Sequence, residues 1–213
     1  MFRLTPIVKN LIIINVVVFI GQQLAPTAEF LCTIQGIRYS DTIDVVTGYL
    51  SMWSNKSNCF KPYQLFTYMF IHGGFSHIFF NMIALAFIAP TLETYWGGKR
   101  FLTFYLITGI GAAVFSILVN VFFGAGDFGI MMGASGAIYG VLMGFGMTFP
   151  NMEVMLLIPP IPIKAKYLVF LLGGMTFLFD RSGQVAHFTH LGGVVVAFVL
   201  IMMWRKRGGT QQW

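Results

Sequence analysis

Residues 101 to 123, FLTFYLITGIGAAVFSILVNVFF, contain no charged side chain. A run of that length is hard to place in a water-soluble domain, where a helix keeps one polar face, whereas roughly 20 apolar residues are what one helical crossing of a bilayer requires. The same character recurs along the 213-residue chain, 57% hydrophobic and 9% charged. It predicts an all-α membrane protein of six spans: Ile7 to Leu24, His77 to Thr91, Phe101 to Phe123, Ala134 to Phe149, Tyr167 to Phe179 and Ala186 to Trp204. The first span is not read as a cleaved signal peptide, because Gly21-Gln22-Gln23-Leu24 offers no small-x-small site. The largest stretch between spans, residues 25–72, is long enough to fold locally, and its segment DTIDVVTGYLSMWSN is amphipathic enough to lie in the membrane interface.

Charge sets the orientation. Six spans place both termini on one side, which then carries Arg3, Lys9, Lys99, Arg100, Lys164, Lys166, Arg205, Lys206 and Arg207, while the other side holds only Arg38, Lys56, Lys61 and Arg181. Positive residues concentrate on the cytoplasmic side of bilayers. The expectation is a multi-pass protein of the cell's inner (cytoplasmic) membrane, termini cytoplasmic and the long loop external. Topology and anionic lipid account for the net charge of +6, so no nucleic-acid partner is called for. Cys32 and Cys59 share the external loop, where a disulfide is permitted but not required.

Polar side chains inside spans are expensive and point to function. Here they open the second, fourth and sixth spans at one depth: His77 and Asn81, Ser135, and His187 with His190. His77 and Asn81 lie four residues apart and share a helix face, as do Ser135 and Tyr139. Gly136, Gly140 and Gly144 form a stripe of the same period, and Gly193 and Ala197 supply a matching one on the sixth span. Such stripes let helix backbones approach closely, so the fourth and sixth spans should pack together and bring Ser135 within reach of His187.

Three motifs, HGGFSHIFFN at 72–81, GASG at 133–136 and AHFTHLGG at 186–193, give the chain its resemblance to the rhomboid intramembrane serine proteases, from the second span to the end of the sixth. The resemblance implies one rhomboid-type domain over residues 1–213, a six-transmembrane-helix rhomboid-like bundle with a long first external loop. It makes Ser135 the nucleophile and His187 the general base, with His77 and Asn81 lining an oxyanion hole and Tyr139 packed on the His187 ring. His190 and His72 become supporting residues, as do Gly133 and Gly136 of the GASG motif. Substrates would be single-span membrane proteins, cut near the external end of their membrane segment where residues are small. They would enter beside the fifth span and the following loop, MTFLFDRSGQVAH, whose Ser182-Gly183 would let it lift. Many rhomboids carry an adjacent Trp-Arg pair in the first external loop; here Arg38-Tyr39 and Trp53-Ser54 stand instead.

The residues themselves support a serine hydrolase without a carboxylate. A serine hydroxyl needs a base, which a neutral imidazole supplies. All seven acids, Glu29, Asp41, Asp44, Glu93, Asp127, Glu153 and Asp180, fall in loops or at span ends, so a Ser-His dyad is expected rather than a triad. Neither cofactor nor metal is expected: HExxH is absent and carboxylates are missing from the depth of the histidines. Two other readings compete, a non-proteolytic rhomboid-like protein that binds membrane clients, and a small transporter, which would call for inverted repeats and polar groups near the midplane.

Overall fold

The computed structural model describes residues 3–34, 36–124, 129–156, 160–179 and 187–207. Ser182-Gly183, with most of the expected cap loop, lies outside them. Four helices are long and apolar enough to cross a membrane: α1 (Pro6–Leu24), α4 (Phe75–Trp96), α5 (Gly98–Phe123) and α8 (His187–Arg207). The other two expected spans are also helical but shorter, α6 (Ser135–Thr148) with 14 residues and α7 (Ala165–Phe179) with 15. The short α6 is central. It packs against α4, α5, α7 and α8 and is buried along most of its length, Gly136 to Val141 included.

The described residues are mostly helical, as expected, with short strands in the connections. Between α1 and α4 the chain forms an antiparallel hairpin, β1 (Thr27–Ile34) with β2 (Ile37–Asp44), registered from Thr27 opposite Asp44 to Ile34 opposite Ile37. The amphipathic DTIDVVTGYLSMWSN segment is therefore divided. Its first four residues belong to β2, and Asp44 then caps α2 (Val45–Leu50) by accepting from the Thr47 N–H at 2.8 Å. Two residues, β3 (Met52–Trp53), follow, then α3 (Gln64–Thr67) and a 3-10 turn, Tyr68–Phe70. A Cys32–Cys59 disulfide joins the hairpin to the segment after β3. Strand β3 pairs with β4 (Ile130–Met131), Met52 opposite Met131, which fastens this loop to the residues leading into α6. A last ladder, β5 (Glu153–Met155) with β6 (Pro162–Lys164), links α6 to α7.

One buried acid stitches the far end together. Glu93, 5% exposed near the end of α4, accepts from the backbone N–H groups of Ile7 at 3.0 Å and Val8 at 2.9 Å and from the Thr5 hydroxyl. These are the first-turn donors that α1 cannot satisfy within itself, and the carboxylate sits where the helix dipole favours a negative charge. Pro6, at the first helical position, has no N–H to satisfy. Glu93→Ala leaves those donors buried without an acceptor and should cost about 2 to 3 kcal/mol of stability. Thermal melting in detergent reads the loss; an unchanged midpoint would refute the capping role.

Candidate active site

Ser135 is the first residue of α6. Gly133, just before it, adopts φ +119°, a conformation that favours glycine, and its N–H donates to the Tyr68 carbonyl at 2.9 Å. A Cβ on Gly133 would lie 2.7 Å from His77 Nε2 and 3.8 Å from Ser135 Oγ, so the absent side chain leaves room for both groups to face one spot. The first-turn N–H groups of α6, lacking partners within the helix, favour an anion there.

The histidine that meets Ser135 is His190. Its Nε2 lies 2.8 Å from Ser135 Oγ, and its ring stacks on Tyr139 with centroids 4.3 Å apart and planes 18° apart. This corrects the assignment of His187 as partner of Ser135 and Tyr139, and of His190 as a supporting residue. Helix geometry gives the reason. The closest approach of α8 to α6 is at Gly193, where a Cβ would fall 2.0 Å from the Gly136 carbonyl oxygen. Residues three and four before Gly193, His190 and Thr189, share its face, whereas His187, six before, is rotated by about 120° from it. Thr189 and Ser116 of α5 share a hydrogen bond of 2.7 Å on that seam. His187 stands half-buried at the start of α8.

His77 and Asn81 occupy the first two turns of α4. The Gly73 N–H donates to His77 Nδ1 at 3.3 Å, so the neutral ring carries its proton on Nε2, the atom facing Gly133. Asn81 is 7% exposed and its Nδ2 makes no hydrogen bond within the described residues. A buried donor without a partner is costly enough to call for a functional explanation. His72 packs edge-on to the His77 ring, centroids 5.0 Å apart. Burial, helped by the nearby His77, holds the His72 imidazole down to about 3, so it remains uncharged at neutral pH.

Two residues that sequence reasoning passed over hold these groups in place. Gln22 of α1 brackets the His72 backbone, its Oε1 accepting from the His72 N–H at 3.1 Å and its Nε2 donating to the His72 carbonyl at 3.1 Å. The Thr176 hydroxyl of α7 hydrogen-bonds the Tyr139 hydroxyl at 3.0 Å, fixing the ring beneath His190. A glutamine inside an apolar span was the available signal for the first; a threonine on an apolar helix is too common to signal the second.

Residues 60–207 match the family model described as Rhomboid domain. The chain is similar to RHOMBOID-like protein 1 of Arabidopsis thaliana, 30% identical over 140 residues, which cover 66% of the chain and 34% of that protein. It is also similar to the mitochondrial Rhomboid protein 1 of Saccharomyces cerevisiae, 31% identical over 126 residues, 58% of the chain and 36% of the relative. Rhomboid protease GluP of Bacillus subtilis is 27% identical over 136 residues, 64% of the chain and 25% of the relative. The chain thus spans about a third or less of the length of these three curated relatives.

Proposed function

Because the chain belongs to the rhomboid family, a family of multi-pass membrane proteins, we propose that it is an intramembrane serine endopeptidase working through a Ser135–His190 dyad. The observation that carries this reading is the 2.8 Å contact between Ser135 Oγ and His190 Nε2. His190 Nε2 takes the hydroxyl proton as Oγ bonds to the carbonyl carbon of the scissile peptide. The carbonyl oxygen becomes an oxyanion, met by His77 Nε2–H, Asn81 Nδ2 and the first-turn N–H groups of α6. Collapse breaks the carbon–nitrogen bond, and His190 passes its proton to the departing amine. The acyl group left on Ser135 is then hydrolysed by water activated in the same way.

Among the described residues no carboxylate bonds to His190 Nδ1. The imidazolium formed in each half-reaction lies instead against the face of Tyr139, where a cation is stabilised by the ring, and Thr176 holds that ring still. The proposed substrates are membrane segments of single-span proteins, as family membership supports. With α6 and α7 counted as spans, the chain forms a single six-span domain with cytoplasmic termini. The catalytic groups then open to the external side of the cytoplasmic membrane.

The test is covalent labelling of the detergent-solubilised protein by a fluorophosphonate, read by intact mass. Wild type should gain one adduct and Ser135→Ala none. A folded wild-type protein that resists this and other serine-directed reagents would overturn the proposal. Asn81→Ala, which removes one oxyanion donor, should lower turnover of a single-span reporter in liposomes by about 100- to 1000-fold with the fold retained. Unchanged turnover would remove Asn81 from the site.

A further inference from the structure

At the end of the bundle away from Ser135, the last turns of α4, α6 and α8 and the first turn of α5 enclose a cleft lined by Trp96, Arg100, Thr148, Ile201, Trp204 and Arg205. We propose that this cleft is a binding site for an anionic phosphate, of the kind a phospholipid headgroup presents at that depth. It lies outside the catalytic machinery and has no part in peptide hydrolysis.

Both guanidinium groups come to the cleft already held. Arg100 stands over the Trp204 ring, its central carbon 4.3 Å from the ring centroid. Arg205 donates from Nη2 to the Met147 carbonyl at 2.8 Å, which engages one of its five N–H donors. The indoles brace each other, Trp96 edge-on to Trp204 with centroids 5.9 Å apart and Trp96 against Phe104 at 4.9 Å. Planar guanidinium forks match phosphate oxygens in pairs, and less ordering entropy is lost when the side chains are fixed beforehand.

The surroundings select charge of the same sign. Lys99 and Lys206 adjoin Arg100 and Arg205 in sequence. None of the cleft-lining side chains is acidic, and Glu93, the buried acid near this end, is taken up by α1. Tryptophan collects at the level of lipid headgroups, so a paired indole floor under two arginines places the phosphate where a bilayer supplies one.

Native mass spectrometry of the full chain in detergent tests this, with phosphatidylglycerol and with phosphatidylcholine of the same acyl chains. Wild type should hold phosphatidylglycerol under activation that strips phosphatidylcholine. The Arg100→Gln/Arg205→Gln double variant should lose about tenfold in phosphatidylglycerol affinity. Arg205→Gln alone, altering an exposed side chain, should lose several-fold and keeps the test open if the double variant fails to fold. Lys9→Gln/Lys164→Gln removes the same charge away from the cleft and should bind as wild type does. Inorganic phosphate is the competitor: displacement of the lipid assigns the site to phosphate in any form, and failure to displace it assigns the site to the lipid-borne group. Equal retention of both lipids, or an equal loss in the lysine variant, would overturn the proposal.

Discussion

His190→Ala is expected to lower fluorophosphonate labelling of Ser135 by at least about 1000-fold, and His187→Ala to leave it within about threefold of wild type. The two histidines are three residues apart on one helix, and it is His190 that meets Ser135 at 2.8 Å and stacks on Tyr139. Removing the base leaves a hydroxyl with nothing to accept its proton, so the loss should resemble that of Ser135→Ala. Labelling rates read by intact mass separate the cases. Loss of labelling in His187→Ala with retention in His190→Ala would return the base to the first histidine and discard the geometry described above.

The second large effect is expected from a single methyl group. Gly193→Ala places a Cβ 2.0 Å from the Gly136 carbonyl oxygen, 3.0 Å from its carbon and 3.4 Å from the Gly140 nitrogen. All three are backbone atoms, so no rotamer change relieves the clash and α8 must move away from α6. Overpacking of this kind costs about 3 kcal/mol or more. The same seam sets the distance between His190 and Ser135, and a displacement of about 1 Å costs about 100-fold in rate. Melting temperature and labelling rate should therefore fall together. Gly174→Ala on α7 meets nothing within 4 Å and serves as the comparison that should change neither. A Gly193→Ala protein that melts and labels as wild type would show that the helices do not rely on this contact.

Much of this architecture was legible in the sequence, and what escaped has identifiable causes. Apolar runs located the four helices long enough to cross a membrane and the shorter α6 and α7, because a bilayer leaves little choice of residue. Polar residues at one depth singled out Ser135, His77 and Asn81 as candidates, since such groups are too costly to scatter. The choice between His187 and His190 was also present, in the stripe of Gly193 and Ala197. Traced back by three and four residues, it reaches His190 and Thr189 and misses His187. The hairpin was harder to see. Ile37 to Asp44 is exposed along most of its length, so strand alternation leaves no hydrophobic pattern to detect. The disulfide could not be foreseen either, because two cysteines in one loop are compatible with pairing and with its absence.

The separation of Ser135 from His190 along the chain has a consequence for synthesis. Under the proposed mechanism the nucleophile opens α6 and its base lies 55 residues later, in α8. A nascent chain that has not yet brought α8 against α6 then carries an inert alcohol, with nothing to take its proton. Hydrolytic competence therefore waits for α8 to pack on α6. A protease built in this order would stay silent among other membrane segments until that contact had formed.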